Sequence, residues 1–179
     1  MAQHRPRQGL GPAAPGRLAV TRIGFTGHQG LPARTVELVD RGIRGYLAGH
    51  AGPSLIGVTM LGPCADQVFA RAVLDAGGAL FVVVPAAKYR DGFEDAEARR
   101  GYDELYARRA SVERLGYVES TEEAHMAGGR AVVDNSDVLL AVWDGHSARG
   151  HGGTADVVAY ARERGVPVEV IWPAGASRN

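Results

Sequence analysis

The sequence predicts an α/β fold, a doubly wound parallel sheet flanked by helices in a single domain. Three observations carry this prediction. Short apolar runs alternate with longer amphipathic stretches from Leu18 onward, the rhythm of repeated β-α units. Val82, Val83 and Val84, and again Val138, Leu139, Leu140 and Val142, sit in continuous apolar runs, as expected of strands covered on both faces by helices. The amphipathic stretches between them carry helix-start signals.

In chain order, LAVTRIGFTG reads as the first strand and PARTVELVDRGIRGYLAG as the helix after it. Pro32 stands where a first helical turn loses nothing by lacking an N–H, and Val36, Val39, Ile43 and Leu47 recur on one helical face. LIGVTML and ADQVFARAVLDAG form the next pair, followed by the strand ALFVVVP. The charged segment after it, to about Leu115, interleaves its charges in AEARRGYDELYARRASVERL and reads as a solvated helical face with i,i+4 pairs. Ser120, with Glu123 three residues on, predicts a capping box and a helix to about Asn135. DVLLAVWDG, GGTADVVAYARERG and VPVEVIWP complete roughly five β-α units.

Length and composition narrow the function classes. The 179 residues fit one globular unit, expected over 18–175, while residues 1–17 mix Pro, Gly and Arg with few large apolar side chains and predict a flexible tail. Lys plus Arg equals Asp plus Glu at 20 each, so the overall charge predicts no nucleic-acid polymer as partner. The longest apolar run, ALFVVVPAA, is too short for a bilayer and the N-terminus lacks a secretory core, which predicts a cytoplasmic protein with no membrane partner. Cys64 is the only cysteine, so no internal disulfide or Cys-based zinc cluster can form. His28, His146 and His151 lack a fixed helical spacing and are not read as a metal site.

Ligands of open parallel sheets bind beyond the carboxyl ends of the strands, so the strand exits are where chemistry is expected. Four exits hold most of the Gly-plus-polar clusters: TGHQGLP, LGPCADQ, PAAKYRDGF and DGHSARGHGGT. In the last, Gly150, Gly152 and Gly153 allow close main-chain approach, and Thr154 opens a helix whose free amides and dipole attract an anion, most simply a phosphate. The same glycines would also serve a tight turn. Gly27 allows close approach at the first exit, and His28 and Gln29 can hydrogen-bond a sugar or base. Asp144, followed by Gly145, stands where a carboxylate can accept from ribose hydroxyls, or simply make a turn. Asp66 opens the second helix, where a carboxylate suits the helix dipole with or without a ligand. Arg130 interrupts a small or apolar helical face and can pair with a phosphate or remain solvated. Lys88, Tyr89 and Arg90 read as a lid, a stacking edge or plain surface.

IGFTGHQGLP, CADQVFARAVLDAGG, VVPAAKYRDGF and SDVLLAVWDGHSARGHGGTADVVAYAR together resemble the SLOG superfamily of Rossmann-like nucleotide-binding proteins, over about residues 20–173. That group is related to the LOG phosphoribohydrolases, often labelled lysine decarboxylases, and to the nucleoside deoxyribosyltransferases. The resemblance implies a nucleotide or nucleotide-derived ligand along the strand edge, with no cofactor assigned otherwise, and a homodimer. It also marks a departure. Where those enzymes carry a Glu three residues after the threonine, this chain has Val157, which can neither attack an anomeric carbon nor stabilise an oxocarbenium-like centre. Asp156 is one residue earlier and about 100° away on a helix. Where a Gly is expected before Ala65-Asp66, the chain has Cys64. The leading expectation is therefore a nucleotide-binding sensor, carrier or effector. The alternative is a hydrolase or transferase cleaving the N-glycosidic bond of a nucleoside monophosphate, with Asp156, Asp144 or Glu122 replacing the missing Glu and Arg130 orienting the phosphate.

Overall fold

A computed structural model of the chain describes residues 19–179, and the tail expected over 1–17 lies outside the described residues. Six strands form one sheet: β1 (Thr21–Gly27), β2 (Leu55–Thr59), β3 (Ala79–Ala86), β4 (Ser111–Tyr117), β5 (Val138–Val142) and β6 (Val168–Val170). Their order is β4-β3-β2-β1-β5-β6, and every neighbouring pair is parallel. Five helices connect them: α1 (Ala33–Leu47), α2 (Ala65–Asp75), α3 (Ala96–Ala107), α4 (Glu122–Asp134) and α5 (Thr154–Glu163). The doubly wound α/β class is thus the observed one.

The alternation of side chains along each strand builds two cores. Ile23, Phe25, Leu140 and Val142 pack with Val39, Ile43, Phe69 and Val73 on the face carrying α1 and α2. Leu139 and Ala141, one residue out of phase, pack with Val132, Val133, Val158 and Ala161 of α4 and α5 on the other. Phe25 and Phe69 stack at 4.6 Å between centroids, fastening α2 to the central strand. Removing either ring's partner contact would cost several kcal/mol at a site this enclosed.

α4 packs against its neighbours through two adjacent glycines. A Cβ on Gly128 would meet Met60 Sδ and, at 2.9 Å, Pro85 Cβ of the sheet layer; one on Gly129 would stand 2.6 Å from Val157 Cγ2 of α5. Side chains at these positions would lift the helix.

Two local readings are corrected. The charged segment is not helical to Leu115: α3 stops at Ala107 and Ser111–Tyr117 forms β4, an edge strand with half-exposed residues. Its outer face and edge position let it carry Glu113 and Arg114, so the charges that read as a helix surface are those of a protected sheet edge. The α4 cap is Thr121, not Ser120: Thr121 Oγ1 accepts from Ala124 N at 3.2 Å, while Ser120 Oγ pairs with His125 Nε2 at 2.8 Å.

Candidate functional site

β1 to β4 wind outward on one side, and the chain then crosses to lay β5 on the other side of β1, so the topological switch point falls between β1 and β5. A cleft of about 290 Å³ opens there, and all four predicted exits reach it: Gly27, His28 and Gln29; Gly62 and Asp66; Tyr89; and Ala148 to Thr154. A larger groove of about 1000 Å³ adjoins it and shares Gln29, Tyr89 and His125.

At the first exit, His28 N donates to Val142 O at 3.1 Å and extends the β1–β5 ladder. The buried His28 imidazole sets Nε2 3.1 Å from Asp144 Oδ1 and 3.2 Å from Asp144 N. Burial lowers its pKa more than the Asp144 carboxylate raises it, so the ring is neutral at pH 7, and the tautomer protonated at Nε2 donates to Asp144 Oδ1. Asp144 itself stands behind His28 and is not among the residues lining the cleft. Burial pushes its carboxyl up, but the His146 amide, His28 and Arg178 outweigh this and bring it to about 2. Gly145, the next residue, also lies off the cleft wall.

The second exit rises into α2 through Cys64, its N-cap residue, at φ +70°. That is the left-handed region where glycine is favoured, which gives the glycine expected there a physical reason. Burial pushes the Cys64 thiol up, so the helix terminus does not activate it. Cys64→Gly is expected to melt higher than Cys64→Ala, by about 1 kcal/mol in unfolding free energy, because alanine keeps the strained φ without the sulfur's packing. Denaturant unfolding of the two variants checks the order. Asp66, 7% exposed, faces the cleft and accepts from Thr59 Oγ1 at 3.0 Å.

At the last exit, Gly152 has φ +82° and lies against the first turn of α4. Gly153 is the N-cap of α5, and the amides of Thr154 and Ala155 begin a helix that cannot satisfy them internally. The Gly152 amide is already used: it donates to Asp156 Oδ2 at 2.9 Å, so Asp156 caps its own helix and is not among the cleft-lining residues. Val157 does line the cleft and packs on the Gly129 surface of α4. Arg130 projects from the exposed side of α4, its guanidinium 5.5 Å from the Tyr160 ring centre, and does not reach the cleft. Gly150 lies beside Glu122, whose Oε1 would be 2.9 Å from a Cβ there.

Several cleft residues have no signal in the sequence. His125 and Arg149 are brought in by α4 and the glycine loop, and Arg178 comes from a segment that folds back over the strand edge. Thr35 Oγ1 donates to Ser177 O at 3.1 Å and accepts from Ser177 N at 3.0 Å; Asn179 Nδ2 donates to Gly30 O at 2.7 Å, and Arg149 donates to Asn179 O at 3.0 Å. Arg178 thereby enters the cleft with Asp144 Oδ2 as a 3.4 Å partner. No local pattern relates Ser177-Arg178-Asn179 to the first strand exit, so only the tertiary fold discloses its place. Among the described residues no group of three or more His, Cys, Asp or Glu side chains is placed to hold a metal ion. No helix among them is long and apolar enough to cross a membrane.

Fold and edge cleft together define a Rossmann-like α/β protein, the fold class that the sequence motifs imply. No protein-family profile and no curated protein match it. Among solved structures it is similar to DNA processing protein A from Helicobacter pylori, studied for its single-stranded DNA binding mode, at 15% identity and TM-score 0.63 over 89% of this chain and 69% of that one. DNA processing protein A from Streptococcus pneumoniae matches at 19% identity and TM-score 0.63, over 87% of this chain but only 51% of its own length. The molybdenum cofactor binding protein from Rippkaea orientalis matches at 16% identity and TM-score 0.53, over 86% of this chain and 77% of that one. The exclusion of a nucleic-acid polymer is therefore withdrawn: this fold occurs in a protein with a single-stranded DNA binding mode. The physical error was to read a local property from a global sum. A net charge of zero leaves room for a local cationic surface, and Arg149 and Arg178 stand together at the cleft.

Proposed function

We propose that this protein binds a nucleotide or nucleotide-derived ligand in the cleft between the β1 and β5 exits, as a sensor, carrier or effector. Gly153, Thr154, Arg149 and Arg178 grip the phosphate, while Gly27, His28, Gln29 and Asp66 run along the sugar and base. The observation that carries the reading is the cleft's position: a concave site at the topological switch point, bordered by a glycine loop opening a helix and by two guanidinium groups. The capping of Gly152 N by Asp156 confines the phosphate to the amides beyond it.

The test is a panel of nucleoside 5′-monophosphates and a single-stranded oligothymidylate, read by thermal shift. A ligand at 100 times its Kd stabilises by about 2.7 kcal/mol, which raises Tm by roughly 5–10 °C for a chain of this size. Gly153→Val is expected to abolish that rise while the apo protein still folds, because Gly153 has an ordinary φ but its Cβ would already lie 3.0 Å from Ala148 Cβ. Ligand stabilisation unchanged in this variant would remove the phosphate loop from the proposal.

One observation favours a second reading, cleavage of an N-glycosidic bond. Glu122 supplies a carboxylate to the cleft that Val157 does not. Free base released in the same mixtures, and no longer released by Glu122→Gln, would identify the protein as that enzyme.

A further inference from the structure

We propose that the cleft floor around Gly62 is a base-reading subsite, in which Asp66 and Tyr89 select a 2-amino-4-oxopyrimidine edge, the edge that a guanine nucleotide presents. The inference rests on the ligand reading above and adds which ring the site takes.

Three polar groups from three strand exits converge where Gly62 has no side chain. A Cβ built there would lie 3.1 Å from the Tyr89 hydroxyl, 3.5 Å from Gln29 Nε2 and 3.6 Å from Asp66 Cγ. Tyr89 is only 5% exposed, and its ring is held edge-on by Phe93, Tyr102 and His125. Its hydroxyl makes no hydrogen bond among the described residues, yet no wholly buried polar side-chain atom lacks a partner, so the hydroxyl opens into the cleft that it lines. A rigid, nine-tenths buried phenol therefore presents a fixed hydroxyl, free to donate or accept, to whatever enters the cleft.

Asp66 is fixed in the same way. Thr59 Oγ1 donates to Oδ2 at 3.0 Å and is itself held by Leu61 N at 3.0 Å, so the carboxyl plane cannot swing. Burial pushes this carboxyl up to about 7 in spite of Thr59 and the main-chain amides of Gly62 and Met60, so the donors present do not offset the burial. Two parallel N–H groups from a ligand would. A guanine edge offers them as N1–H and the 2-amino group, with O6 beside them to accept from the Tyr89 hydroxyl. An adenine edge offers one donor and turns the N1 lone pair toward the carboxylate, which leaves a buried charge unpaired.

Isothermal titration of the full chain with guanosine, inosine and adenosine 5′-monophosphates at pH 7.5 tests this, with neopterin as a second carrier of the edge. Guanosine monophosphate is expected to bind at least tenfold more tightly than adenosine monophosphate, and than inosine monophosphate, which lacks the 2-amino group. Asp66→Asn is expected to lose that preference, and Tyr89→Phe to weaken guanosine monophosphate several-fold. Neopterin binding as tightly as guanosine monophosphate, and lost in Asp66→Asn, would support the edge and assign its source to a pterin. Equal affinities for the guanine and adenine nucleotides in the parent, or a preference kept by Asp66→Asn, overturns the base-reading subsite while leaving nucleotide binding in place. Failure of every ring compound to bind overturns both.

Discussion

Asp66→Asn should melt well above the parent protein at pH 8 and close to it at pH 4. Burial raises the Asp66 carboxyl from 3.8 to about 7 in the folded chain. Its favourable contribution is therefore complete below the unfolded value and is lost as pH rises through the folded one, since between the two the native state holds a proton that the unfolded chain has released. Above pH 7 the folded protein must keep an ionised carboxylate in a buried site. A shift of this size corresponds to roughly 4 kcal/mol at full effect. Asparagine keeps an oxygen for Thr59 and never pays that penalty, so its stability relative to the parent rises across about pH 4 to 7 and then levels. For a chain of this length the plateau amounts to roughly 10 °C in Tm. Melting curves at unit pH intervals check the shape, and a constant offset at every pH would refute the assignment to Asp66.

Gly152→Ala should destabilise the protein by about 3 kcal/mol and abolish stabilisation by any nucleotide. Two effects add. The residue has φ +82°, where an L side chain costs roughly 1 kcal/mol, and its Cβ would stand 2.9 Å from Glu122 O and 3.0 Å from Met126 N. Both obstacles are main chain, so neither can rotate away, and the loop must retreat from α4. Gly145→Ala is the matched control. Its φ is also +82°, but a Cβ there meets nothing within 4 Å, so it should lose only the conformational part. Equal losses in chemical denaturation of the two variants would show that the contact with α4 is not tight.

The parts of this molecule legible in its sequence are those written in local pattern. The apolar runs of β3 and β5 have to be strands buried on two faces, and the i,i+4 spacing of Val39, Ile43 and Leu47 puts all three in the core. The convergence of four exits also follows from pattern, since parallel strands joined by helices must end on one edge. β4 was hidden because an edge strand can carry charges at every second or third position, and Glu113 with Arg114 copies the texture of a helix surface. The cleft was legible only in part. Its glycines announce themselves, but whether a given amide is free depends on a side chain such as that of Asp156, four residues from the amide that it caps. Arg149, Arg178 and His125 enter through contacts between distant segments, and no spacing rule relates Arg178 to His28. Asp144 illustrates the converse. Its position was readable, yet its carboxylate is committed to the His146 amide, His28 and Arg178.

Gly128 and Gly129 set the aperture of the cleft from behind. The first turn of α4 forms one wall of it through Glu122 and His125, and the height at which that helix rides over the sheet is fixed by the missing side chains one turn further on. An alanine at either glycine acts as a shim, pressing α4 away from Met60 and Pro85 or from Val157 and so moving the wall outward. The width of the cleft is thus governed from the layer behind its lining, by two positions that carry no side chain at all.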